Sequence, residues 1–161
     1  MIVEDNVHFL TLLRSILQAL GFTRLIEAHD GIEGVEILGE QSVDLVIVDW
    51  KMQGMDGVEC VRQIRGLNCA NRFVPIIMVT GYTEESLRNR ARDAGVNGFL
   101  GKPVSPQSLL NRMQAVLNAQ RQFIDTGDYF GPDRRTSPDP YTKADRRKSQ
   151  AKIIFPDDCE D

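Results

Sequence analysis

Five short apolar runs rich in Val and Ile punctuate the first hundred residues: Ile2-Val3, Leu25-Ile26, Val43 to Val48, Val74 to Val79 and Phe99-Leu100. Runs of this kind suit strands buried on both faces, as in a parallel sheet covered by helices; a sheet with one wet face reads as alternation instead. The stretches between the runs have helical period. Leu10, Leu13, Leu17 and Leu20 recur at intervals of three and four, and Gly21 stops the pattern. Asp30-Gly31-Ile32-Glu33 and Asp56-Gly57-Val58-Glu59 each place an aspartate cap three residues ahead of a glutamate, opening two further helices. Val58, Val61 and Ile64 give the second of these a core stripe. Thr83-Glu84-Glu85 begins a fourth helix whose inward face is thin, with only Leu87, Ala91 and Ala94. Ser105-Pro106 begins a fifth, carried by Leu109, Met113, Val116 and Leu117. Strand then helix, five times over, predicts a doubly wound parallel α/β sheet with helices on both faces. The first strand has only Met1 to Val3 before an acidic pair, against the usual ~5–6 residues. Either the strand is short or the sequence begins inside a longer one.

Composition excludes several classes. The formal charge of −4 argues against a dedicated nucleic-acid binder, whose footprint is a strongly basic face. The start, Met1-Ile2-Val3-Glu4-Asp5, lacks the basic and apolar regions of a secretory leader. No apolar run approaches the ~18 residues that span a bilayer, so no membrane role and a cytoplasmic location are expected. Cys60, Cys69 and Cys159 are scattered without a CxxC pair and read as reduced thiols. Beyond Phe123 the character changes. In residues 125–161 only Phe130, Ile153, Ile154 and Phe155 are Leu, Ile, Val or Phe, and four of the seven prolines fall there. That is too little apolar material for a core, so the expected division is a domain over 1–122 and a disordered tail over 123–161.

In an open α/β sheet, ligands bind beyond the carboxyl ends of the strands. Polar residues stand at those ends here: Glu4 and Asp5 after the first run, Asp49 after the third, Thr80 after the fourth and Lys102 after the fifth. Two unit charges 4 Å apart repel by ~4 kcal/mol at an effective dielectric of 20, so three carboxylates at one edge need a cation or raised pKa values. Lys102 leaves a net −2, which matches a hard divalent ion, and an all-oxygen ligand set favours Mg²⁺. A lysine, a hydroxyl and Mg²⁺ together suit a phosphoryl group, and a carboxylate in the site is a competent nucleophile for it.

Val3-Glu4-Asp5-Asn6, Val48-Asp49-Trp50-Lys51-Met52-Gln53-Gly54-Met55-Asp56-Gly57, Val79-Thr80-Gly81 and Phe99-Leu100-Gly101-Lys102-Pro103 together resemble the receiver domain of two-component response regulators, of the CheY type. The resemblance covers residues 1–122 and implies a five-stranded, flavodoxin-like sheet in the order 2-1-3-4-5. It also implies roles. Asp49 would accept the phosphoryl group from a sensor histidine kinase or a histidine phosphotransfer protein. Asp5 and Asp49 would bind Mg²⁺ directly, Glu4 through water, with the backbone carbonyl of Lys51 as a further ligand. Thr80 and Lys102 would hold phosphoryl oxygens, and Phe99 would be the switch aromatic that turns inward as Thr80 moves. The bond before Pro103 would be cis. A downstream protein target would meet the face of helix 4, strand 5 and helix 5, where Arg88, Arg90 and Arg92 lie.

Other readings stand beside these. Glu4 and Asp5 also suit an ordinary acidic helix entry, Asp56 a cap, and His8 and His29 surface roles. Gln53 replaces a proline common in the family. Lys51 and Tyr82 are bulky neighbours of the acceptor site, expected to hinder attacking water and prolong the phosphorylated state. An aspartyl-nucleophile phosphatase on a related sheet is the enzymatic alternative; it would want a second aspartate where Lys51 stands. A fragment of a larger regulator is a third reading. On the receiver reading the chain is not an enzyme, since it catalyses only its own phosphoryl transfer and loss. Lys143 to Lys148 is a modest basic cluster read as solvated linker.

Overall fold

The computed structural model describes residues 1–81, 85–119, 122–133 and 152–154. The chain runs β1 (Ile2–Val3), α1 (Val7–Ala19), β2 (Glu27–Ala28), α2 (Gly31–Glu40), β3 (Val46–Asp49), α3 (Gly57–Arg65), a 3-10 turn (Ala70–Phe73), β4 (Ile76–Thr80), α4 (Glu85–Ala94), β5 (Gly98–Gly101) and α5 (Pro106–Asn118). The five strands form one sheet in the order β2-β1-β3-β4-β5, and every neighbouring pair is parallel.

Strand side chains alternate between two cores. Ile2, Ile47, Ile77, Val79 and Leu100 pack with Leu10, Leu13 and Leu17 of α1 and Leu109 and Met113 of α5. Val3, Val46, Val48, Ile76 and Met78 face the other way, onto Leu38 of α2, Val58, Val61 and Ile64 of α3, and Ala91 and Ala94 of α4. A sheet covered on both faces has no side to leave wet, which is why its central strands read as unbroken apolar runs.

The caps fall where the sequence places them. Asp30 accepts the Glu33 N–H and Asp56 accepts the Glu59 N–H, each at 2.8 Å. Ser105 and Ser108 form a reciprocal capping box behind Pro106. Gly21 has φ 92°, a left-handed conformation that a side chain disfavours. Differences occur at the edges. The second strand pairs through Glu27 and Ala28 rather than Leu25-Ile26, because an edge strand bonded on one side needs no continuous apolar run. The fourth begins at Ile76 because Pro75 has no N–H to give the ladder. Leu117 is exposed, so the α5 stripe ends at Val116. In α4 Ala91 and Ala94 are buried, while the start expected at Thr83-Glu84 lies outside the described residues.

The expectation of disorder after residue 122 does not hold for the described part of that segment. Strands β6 (Phe123–Asp125), β7 (Phe130–Pro132) and β8 (Lys152–Ile154) form an antiparallel sheet in the order β7-β6-β8. Phe123 and Phe130 join Phe73 in a ring cluster with centroids 5.1–5.6 Å apart. Arg72 stacks on Phe130 at 3.6 Å and Arg65 on Phe123 at 5.1 Å.

Arg65 is the anchor. It is buried at the end of α3 and donates to the carbonyls of Gly95, Arg72 and Val74 and to Asn97 Oδ1, at 2.7–3.2 Å. Burial pulls its pKa down to about 9, which leaves it charged at neutral pH. This clasp sits where the strands enter the sheet, just ahead of β4 and β5. Counting apolar residues missed it because the sheet borrows its core from Phe73 and two guanidinium faces already on the domain. The basic cluster 143–148 and Cys159 lie outside the described residues. Among the described residues no helix is long and apolar enough to cross a membrane.

Candidate functional site

At the opposite edge the strands deliver their acidic ends together. Glu4 follows β1 and is 1% exposed. One carboxylate oxygen, Oε1, accepts the Asn6 N–H at 3.0 Å. Asn6 then caps α1, its Oδ1 accepting from the His8 and Phe9 N–H groups. Asp5 Oδ2 accepts the Gln53 N–H at 2.8 Å, which ties β1 to the loop after β3. Asp49 ends β3 at 6% exposure. Its Oδ2 accepts the Lys51 N–H at 3.1 Å, and its Oδ1 lies 2.8 Å from Lys102 Nζ.

Thr80 ends β4, buried, and its carbonyl accepts the Lys102 N–H at 2.9 Å, so sheet register fixes where the lysine backbone begins. The Lys102-Pro103 bond is cis. Phe99, partly buried in β5, is flanked by Arg88 of α4, whose guanidinium lies 5.3 Å from the ring centroid. Glu4, Asp5, Asp49 and Lys102 thus converge with Thr80 at one sheet edge, with the Lys51 backbone alongside. His8 and His29 are exposed, and Asp56 serves as a cap.

The electrostatics are unfinished. Burial raises the Glu4 pKa above its ordinary value; the Asn6 N–H lowers it, Asp49 raises it, Lys102 lowers it, and Asp5 raises it again. Its second oxygen, Oε2, is buried and accepts no hydrogen bond, with Lys102 Nζ 3.7 Å away. A buried carboxylate oxygen without a donor is costly unless a cation approaches it. Three carboxylates against one ammonium leave two negative charges in excess, and the available ligands are all oxygen. Those features fit Mg²⁺. Among the described residues no three acidic, imidazole or thiol side chains form a closed metal cage. Mg²⁺ does not require one, since it is usually held by one or two carboxylates and retains waters.

One contributor gave no signal in the motifs. Phe9, in the first turn of α1, places its ring centroid 4.0 Å from Lys102 Nζ.

The fold and site define a class, and comparison with known proteins agrees. Residues 1–114 match the family described as the response regulator receiver domain. The chain belongs to that family, and is CheY-like within two-component signalling. It is 31% identical over 116 residues to the chemotaxis protein CheY of Pseudomonas aeruginosa, covering 72% of this chain and 93% of that one. It is 33% identical over 122 residues to the cyclic di-GMP phosphodiesterase response regulator RpfG of Xanthomonas campestris, covering 75% of this chain but 32% of that larger protein. Among solved structures, the receiver domain of a sensor histidine kinase from Pseudomonas aeruginosa superposes with a TM-score of 0.66 at 31% identity. It covers 73% of this chain and 94% of that one, and that structure has a magnesium ion coordinated in its active site cleft.

Proposed function

We propose that Asp49 accepts a phosphoryl group, from a sensor histidine kinase or a histidine phosphotransfer protein, and that the modified domain changes its hold on a downstream protein. A carboxylate oxygen of Asp49 attacks phosphorus, the P–N bond of the phosphohistidine breaks, and its electron pair returns to the imidazole. Lys102 stands close enough to follow the developing negative charge from Asp49 onto a phosphoryl oxygen. The Lys51 N–H keeps the carboxylate oriented, and the Thr80 hydroxyl is the donor at the end of the next strand. Asp5, Asp49 and Glu4, the last through water, with the Lys51 carbonyl, would hold Mg²⁺, which when bound supplies the positive charge the pocket lacks.

On this reading the chain acts on no outside substrate and catalyses only its own phosphorylation and dephosphorylation. Thr80 and Phe99 would carry the change to the face of α4, β5 and α5, where Arg88 already touches the aromatic ring. A binding module biased between two states by a local charge is the general form of such a switch. The observation that carries the proposal is Asp49, nearly buried and paired with Lys102, beside a Glu4 oxygen that lacks a donor.

The test is acetyl phosphate with Mg²⁺, followed by mass spectrometry. Wild type should gain a hydroxylamine-labile adduct on Asp49 that Asp49→Asn lacks and that chelator prevents. An adduct elsewhere, or turnover of free phosphate esters at a catalytic rate, would favour the phosphatase reading. Lys51 disfavours that reading, since it stands where the acid/base aspartate would be needed.

A further inference from the structure

The lysine of the pocket has a positioning problem. Its ammonium ends a flexible four-carbon stem, and holding such a side chain in one rotamer is entropically costly. Its ion-pair partners are Asp49 Oδ1 at 2.8 Å and Glu4 Oε2 at 3.7 Å. Both are groups whose charge is altered or screened once a phosphoryl group and a cation arrive. A lysine held by those carboxylates alone would have to exchange its partners as the phosphoryl group arrives. The side chain is also 32% exposed, so water competes for it.

Phe9 offers a restraint of another kind. It lies three residues past the α1 cap, and first-turn side chains lean back toward the helix N-terminus, here the pocket edge. Its N–H is fixed by Asn6 Oδ1 at 3.1 Å, and its ring packs partly against the α1–α5 core. The ring centroid is 4.0 Å from Lys102 Nζ, well inside the ~6 Å reach of a cation–π contact. The attraction comes from the ring quadrupole. It neither neutralises the ammonium nor contributes a lone pair that competes with a phosphoryl oxygen.

Building on the phosphoacceptor reading, we infer that Phe9 is a positioning residue: its ring face holds the Lys102 ammonium at the pocket mouth before and after Asp49 is modified. Leucine at this position would preserve most of the apolar contact and lose the restraint.

The experiment uses the full chain with Phe9→Leu, Phe9→Tyr, Lys102→Met and the Phe9→Leu/Lys102→Met double variant. In metal-free protein, NMR of the Lys102 ε protons should show an upfield ring-current displacement in wild type and Phe9→Tyr, lost in Phe9→Leu. With saturating Mg²⁺ and acetyl phosphate, Phe9→Leu should phosphorylate roughly threefold to tenfold more slowly, and Phe9→Tyr within twofold of wild type. In the Lys102→Met background, Phe9→Leu should cost nothing further. Should Phe9→Leu fail to fold, Phe9→Met carries the same comparison. Absence of the displacement, an unchanged rate, or a loss that persists without Lys102 overturns the inference. Failure of wild type to take up phosphate overturns the phosphoacceptor reading instead, while the NMR result still decides whether the contact exists.

Discussion

Gly57 lies against the backbone of Asp49 so closely that a Cβ built on it would fall on the Asp49 carbonyl oxygen. The Gly57 N–H also donates to the Trp50 carbonyl at 2.9 Å, so the start of α3 is sealed onto the residues that follow the third strand. Glycine is required here by space, since nothing else fits between helix and strand end. Gly57→Ala should push the loop after Asp49 outward and lower stability by about 1–3 kcal/mol, the usual range for overpacking. Urea unfolding measures the loss, and uptake of phosphate should fall with it.

Glu4 sets a pH dependence. Its pKa is raised, chiefly by burial, so the folded chain binds a proton that the unfolded chain releases at about its ordinary value of 4.5. Metal-free stability from this group is therefore complete below that value and declines as pH rises toward the folded pKa. Glu4→Gln should remove the decline and leave the magnesium-free protein more stable than wild type at neutral pH. Added Mg²⁺ should raise the melting temperature of wild type much more than that of the variant. Equal metal responses would mean that Glu4 does not serve the cation.

The clasp at the far end gives a separable prediction. Phe130→Ala should cost about 1–3 kcal/mol through lost ring and guanidinium contacts, read as a lower urea midpoint. Its phosphorylation rate should stay within twofold of wild type, as should that of a chain ending at residue 122 if that chain folds. Collapse of the shortened chain would make the β6–β8 segment part of the domain core.

Cys60 and Cys69 should differ in reactivity. The Cys60 thiol is buried, and desolvation pushes its pKa up to about 12. Because the thiolate is the nucleophile, alkylation of native Cys60 should be very slow at pH 8 and keep rising past pH 9 without a plateau. Cys69, partly exposed, should be modified first. Peptide mapping after iodoacetamide treatment, native against urea-unfolded, distinguishes them.

On the proposed reading, Lys51 is expected to lengthen the lifetime of the modified state. Its N–H serves Asp49 while the residue as a whole is exposed beside the pocket. Lys51→Asn should therefore lose phosphate faster than wild type if bulk here obstructs water. Tyr82, the second residue expected to do so, lies outside the described residues.

Legibility in the sequence followed the range of the forces involved. Local rules placed Asp30, Asp56 and Ser105 as caps, since each bond spans three residues. The buried sheet declared itself in its Val and Ile runs, and the polar residues ending them marked the pocket. Interactions across long separations were harder to read. Arg65 drew no reading from the sequence, although Val58, Val61 and position 65 share one face of α3, a spacing that points inward. Phe9 depended on knowing that the first turn of α1 brings its ring to Lys102, just past the end of β5. The strands after Phe123 were invisible to a count of apolar residues because their core belongs to Phe73, Arg65 and Arg72.

A parallel sheet is a polarised body, with all its chains entering at one rim and leaving at the other. Here the carboxylates gather at the exit rim and the aromatic clasp at the entry rim, an antipodal arrangement, with α4 running toward the clasp and handing its Gly95 carbonyl to Arg65. On the proposed reading a phosphodonor would meet the exit rim, while α4 spans from that rim to Gly95, whose carbonyl Arg65 already grips.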